Sequence, residues 1–197
     1  MPKLTLSKSS WLKEAKKLES YERFLPSLDL KRKQLFIEQA KEKALLADMQ
    51  AELDQLVSRT GDEFQMLSNE EIDLVSLVEV RGVELDEENR LGVVLPLFKK
   101  VEIQVQDYGL LTKPHWVDLL VLRLHRACEL RSQIQIQEQR VSLMQKAARK
   151  ATQRVNLVSK ILIPEAKTNI RKIQIFLSDN ERAAVVRSKI AKKKNKA

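Results

Sequence analysis

Few side chains in this sequence are spaced for chemistry. The two histidines, His115 and His125, stand ten residues apart, with no cysteine or carboxylate cluster beside them at metal-ligand spacing. They read as surface histidines. The single cysteine, Cys128, excludes an internal disulfide framework, fits a reducing compartment and reads as a small residue on a helix face. Glu70 and Glu71 follow Ser68 and Asn69, which is the pattern of a helix capping box and not of an acid–base pair. No glycine-rich GxxxxGK phosphate loop occurs, and no Ser, Cys or Lys lies in a nucleophile motif. The expectation is a chain with no catalytic residues, no cofactor and no metal.

The composition explains why chemistry is scarce. Charged residues make up 32% of the 197 and aromatics 5%, with four glycines and five prolines. Such a mix favours helices and a narrow buried seam over a wide core. Net charge is +9, which permits an acidic partner without identifying one. The charge is uneven. Residues 62–90 hold ten acidic and two basic side chains, and residues 182–197 hold seven basic and no acidic ones. The two regions therefore suit different partners. No apolar run approaches the ~18 residues that span a bilayer, and the start MPKLTLSKSSWLKEAKK lacks the apolar core of a signal peptide. A soluble cytoplasmic protein is expected.

All four glycines fall between residues 61 and 109. Long glycine-free arms around a glycine-bearing centre predict helix, irregular middle, helix. In the second arm Thr112 and Pro114 mark a start. Leu130, Ile134, Gln137, Val141, Met144, Ala148, Ala151, Val155, Val158 and Leu162 then alternate in steps of four and three, a heptad seam in which only Gln137 is polar. Past Leu162 the step to Ala166 is again four, followed by Ile170, Ile173 and Leu177. This stutter unwinds a left-handed supercoil locally, and Pro164 falls inside it. A proline inside a helix costs about 3 kcal/mol, so bend and register change are expected together. In the first arm Leu35, Gln39, Glu42, Leu46, Met49, Leu53 and Leu56 keep the same spacing. Trp11, Leu12, Ala15, Leu18 and Leu25 precede them as an amphipathic start that Pro26 interrupts, and Gly61 is a possible stop. If the arms fold back on one another, Pro26 lies near the level of Pro164.

The centre alternates with period two. Residues 77–85, a polar turn at Asp86 to Arg90, Val93 to Pro96 and Val101 to Val105 predict a β-hairpin, with Pro96 at an edge or bulge. The expected fold is all-α: a long antiparallel two-helix left-handed coiled coil with a short central β-hairpin and an irregular segment. Its parts are residues 1–68 as the first long helix, 69–112 as the central region and 113–197 as the second long helix with a basic tail. A 75-residue helix would measure about 110 Å. On the residues alone, a scaffold or adaptor coiled coil remains open. A nucleic-acid binder is weaker, since the tail RSKIAKKKNKA has no interleaved aromatics for base stacking.

Several stretches carry a family resemblance. Gln153-Arg154-Val155-Asn156-Leu157, Ile163-Pro164, Lys172-Ile173 with Leu177, and Asp179-Asn180-Glu181-Arg182 resemble the C-terminal signature of the D subunit of the V-type and A-type rotary ATPases. Leu30-Lys31-Arg32-Lys33-Gln34-Leu35 resembles its N-terminal basic segment, and Val94-Leu95-Pro96-Leu97-Phe98 its central hairpin. The sequence departs from the pattern at Gln153, at Val158-Ser159 and at Pro26. The resemblance implies a non-catalytic central rotor shaft. Its two ends would insert into the cavity of the catalytic hexamer of A and B subunits. Its middle would pair with the F subunit and dock through the C (or d) subunit onto the membrane rotor ring, at the cytoplasmic face. It also implies motif roles for Lys31, Arg32, Arg154, Val155, Asn156, Pro164, Glu181 and Arg182, with no direct membrane insertion and no nucleic acid. Pro26 and Pro164 are then the expected bends of the shaft.

Overall fold

The computed structural model describes residues 5–64, 77–106 and 116–195. Thr112, Pro114, His115, Gly109 and the Ser68 to Glu71 capping pattern lie outside them, as do the expected boundaries at 68/69 and 112/113. Helix α1 spans Lys8–Glu63, strand β1 Val78–Arg90, strand β2 Val93–Val105 and helix α2 Trp116–Leu157. A π-helical turn, Val158–Leu162, leads directly into helix α3, Ile163–Lys194. The fold is mostly α, a coiled coil carrying one two-stranded antiparallel hairpin. The chain divides into two compact units: residues 1–33 with 149–197, and residues 34–148.

In the unit of residues 34–148, α1 and α2 run antiparallel. Glu42 meets Gln137 and Arg140, Glu52 meets Arg126, and Glu63 meets Arg123, so partners fall in one arm as they rise in the other. Leu35 from α1 and Leu130, Ile134, Met144 and Ala148 from α2 are buried, and Val141 is half-buried. Deleting the side chain of a core position such as Met144 costs about 2–5 kcal/mol. At the hairpin base Leu77, Val117 and Val121 form a second cluster, with Val78 and Trp116 packed against it. The Phe64 and Trp116 rings lie 6.0 Å apart.

In the unit of residues 1–33 and 149–197 the pairing is also antiparallel: Asn169 donates to Glu14 at 3.4 Å and Lys167 pairs with Glu22 at 3.0 Å. Val155, Ala166 and Ile173 are buried, and Ala151, Val158 and Leu162 are half-buried. The Ser7 hydroxyl accepts the Ser10 N–H and caps α1 at its third helical position. The helix then runs to Glu63 without a break at Pro26 and carries Gly61 inside its last turn. Exposed Pro26 lacks the N–H that would bond the Glu22 carbonyl; both residues are exposed, so water can serve that carbonyl.

The hairpin turn differs from the sequence expectation. Asp86 to Arg90 are not a turn; they continue β1, with Glu88 opposite Leu95 and Arg90 opposite Val93. The chain reverses at Leu91 and Gly92, both at positive φ (55° and 81°), as a type I′ turn requires. The Asn89 side chain accepts the Gly92 N–H at 3.0 Å. Long-range pairing of Glu88 and Arg90 overrides the local polarity that suggests a loop there. Pro96 stands in β2, tolerated because both strands of a two-stranded sheet are edges. Leu91 is a poor residue for the left-handed region. Leu91→Asn is expected to stabilise the hairpin by roughly 0.5–1 kcal/mol. Slower amide exchange across β1 and β2 checks it.

Candidate functional site

Two polar positions of the seam, Glu42 and Gln137, meet at one carboxylate. Glu42 is 0% exposed on α1, one turn after buried Gln39. Arg140 on α2 grips it with two hydrogen bonds, Nε to Oε2 at 3.0 Å and Nη2 to Oε1 at 2.9 Å. Gln137, one turn before Arg140, donates from Nε2 to Glu42 Oε2 at 2.6 Å and to its backbone carbonyl at 3.0 Å. A planar guanidinium suits such a two-pronged grip, and the added amide leaves little of the carboxylate unsatisfied.

The hairpin closes over this pair. Arg140 Nη1 donates to the Pro96 carbonyl at 2.9 Å, and its Nη2 lies 3.3 Å from Glu88 Oε2. Arg90 Nη1 reaches Glu42 Oε1 at 3.2 Å and Glu38 at 3.6 Å, while its Nε bonds Glu88 at 2.7 Å. Leu95, opposite Glu88, is 0% exposed. One network thus ties α1, α2 and both strands together.

The charges reinforce one another. The Arg140 guanidinium, then the Gln137 amide, holds the Glu42 carboxyl below the usual carboxylate range. Glu42 in turn raises Arg140, and Glu88 raises Arg90. A carboxylate held low is a poor proton shuttle near neutral pH, so the site reads as a structural key. Buried polar groups of this kind fix register and partner choice more than they add stability.

Other expected residues fall elsewhere. Lys31 is exposed, and Arg32 pairs with Asp29 one turn back. Arg154, Glu181 and Arg182 are exposed, and Asn156 is half-buried. Pro164 is exposed just past the π turn; Lys167 and Glu22, three and four residues from Pro164 and Pro26, are in contact. His125 is exposed and Cys128 is half-buried and free. Among the described residues no group of three or more His, Cys, Asp or Glu is placed to hold a metal, and no helix is long and apolar enough to cross a membrane. Arg140, Arg90 and Glu88 are the functional positions that sequence reasoning missed. The available signal was polar Glu42 and Gln137 at seam positions.

Paired helices keyed by a buried ion pair and strapped by a hairpin define a coiled-coil interaction protein. The family described as the D subunit of ATP synthase matches residues 10–193. A relative from Borreliella burgdorferi, named as the D subunit of a V-type ATP synthase, is 34% identical over 192 residues, covering 98% of this chain and 95% of that one. Proteins of the same name from Chlamydia trachomatis and Chlamydia muridarum are 31% identical over 195 residues, covering 97% of this chain and 95% of theirs. The chain belongs to the ATP synthase D-subunit family.

Proposed function

We propose that the chain is the non-catalytic central shaft of a V-type rotary ATP synthase. It transmits torque between the catalytic hexamer of A and B subunits and the ion-translocating rotor in the membrane. The F subunit binds its middle, and the C (or d) subunit links it to the rotor ring at the cytoplasmic face. Bond making and breaking in ATP belong to the other subunits.

Family membership over residues 10–193 supports the assembly, and one observation carries the mechanical role. Every residue of α3 from Asp179 onward is exposed, including Val185, Val186 and Ile190. A bare helix of over four turns with three large apolar side chains, basic from Arg182 onward, is poorly suited to stand alone in water. A protein sleeve around it supplies the missing contacts. Weak, exposed ion pairs between its lysines and an acidic sleeve can form and break as it turns. Pro26 and Pro164 shape the shaft within that sleeve, and the seam from Leu130 to Leu162 gives it stiffness.

Purification from cells through a tag on this chain is expected to recover A, B, F and C (or d) subunits together. Removing residues 179–197 is expected to keep the F subunit bound while uncoupling ATP hydrolysis from ion transport. Recovery of none of these subunits, or coupling unchanged in the truncated chain, overturns the reading.

A further inference from the structure

The geometry points to the hairpin as a strap that opens at its tip while its base stays fixed. Its two ends are held by different means. The base is anchored by apolar contact among Leu77, Val117 and Val121. The tip is held by Leu95 and by ion pairs to the helices from Arg90 (to Glu38 and Glu42) and Glu88 (to Arg140), whose own side chains are 39% and 32% exposed. Between the two ends the ladder is broken twice, by register shifts at Val80/Gly82 and at Glu84/Leu85. Bulges of this kind locally disrupt pairing and bend a strand, so the hairpin has a place to flex.

The helix side is built to tolerate the strap's departure. Glu42 and Arg140 keep both of their mutual hydrogen bonds when the hairpin lifts, and Gln137 keeps its own. Arg140 loses the Pro96 carbonyl and the Glu88 carboxylate, Glu42 loses Arg90, and water at the opened rim can replace each. No buried charge is orphaned. Beyond Arg90 the tip stands over a cleft lined by Gln34, Ile37, Glu38 and Leu91. There Ile37 and Leu91 remain partly exposed and do not pack shut. Each latch pair has one partly exposed member, Arg90 or Glu88, so salt and a partner's competing charges can reach it, and the latch responds to ionic strength.

The test uses the full chain with Cys128→Ser and pairs of spin labels. One pair, Val94→Cys with Gln139→Cys, reads the tip. The other, Gln104→Cys with His125→Cys, reads the base. In the Glu88→Gln/Arg90→Gln variant, and separately at high salt, the long-distance population of the tip pair is expected to rise roughly threefold to tenfold. The base pair is expected to keep one narrow distance. Leu95→Ala, which leaves the ion pairs intact, is expected to open the tip as well. A tip distance unchanged in both charge arms, or tip and base broadening together, overturns the strap. The measurement needs no other subunit, so its failure leaves the shaft reading untouched, and failure to recover ATPase subunits leaves the strap untouched.

Discussion

Glu42→Ala is expected to destabilise the chain by about 3 kcal/mol, the lower end of the range for breaking a buried ion pair. Removing the carboxylate leaves Arg140 charged in a site where it is 6% exposed, and strips Gln137 of its side-chain acceptor. Glu88, 3.3 Å from Arg140, can take part of that charge, which is why the upper end is not reached. Replacing both partners differs in sign. Glu42→Leu/Arg140→Leu removes both charges together and is expected to be near neutral or stabilising, at the cost of a less certain register between α1 and α2. Denaturant unfolding of Glu42→Leu, Arg140→Leu and the double variant forms a cycle that isolates the pair. The pH dependence follows from the lowered Glu42 value. A depressed carboxyl contributes its stability in full above its unfolded value and loses it as pH falls through the folded one. The acid limb of the wild-type melting curve is therefore expected to be steeper than that of the Glu42→Leu/Arg140→Leu variant. A cost below about 1 kcal/mol for Glu42→Ala would show that water reaches the pair.

The helices were legible because their signal is local and repetitive. Steps of four and three from Leu130 onward identify a seam without knowledge of its partner, and Met144, Ala148 and Val155 are buried in the structure. The β-branched alternation of Val78 to Val83 and Val101 to Val105 identified a hairpin in the same way. What was not legible depends on contacts between residues far apart in sequence. Glu42 and Gln137 stood out as polar seam positions, but they are 95 residues apart, and no spacing rule joins them. Arg140 lies beside the seam and not on it, so heptad reasoning passed over it. Asp86 to Arg90 look like a loop because charge-rich segments usually face water. Here Glu88 and Arg90 are consumed by partners on the helices, and the true turn is the less typical pair Leu91-Gly92. At Pro26 the apolar pattern is interrupted, yet one helix runs through it.

Pro164→Ala is expected to raise stability by about 1–2 kcal/mol, less than the ~3 kcal/mol that a proline costs in an ordinary helix interior. In a regular α-helix the ring of Pro164 would press on the Lys160 carbonyl. The chain avoids this with the π turn of Val158–Leu162, in which the Ile163 N–H reaches back five residues to the Val158 carbonyl. A π turn holds about one residue more than an α turn. The seam has one residue to spare at that point: Val155 and Ala166 are both buried at a spacing of eleven, not the ten that strict steps of three, four and three would give. The wide turn takes up the extra residue, so the heptad phase holds on both sides and Ile173 stays buried. Two demands therefore meet in one turn, relief of the proline clash and absorption of the stutter. Alanine removes the first and leaves the second, so the extra residue can spread into gentle unwinding over several α turns. If the shaft reading holds, the more stable variant is expected to transport fewer ions per ATP in the assembled complex, because the segment without the π turn meets its sleeve differently. Melting of the purified chain and the ratio of ion flux to hydrolysis in reconstituted vesicles measure the two effects separately. A stability gain with an unchanged ratio would mean that the π turn before Pro164 solves a packing problem and shapes no motion.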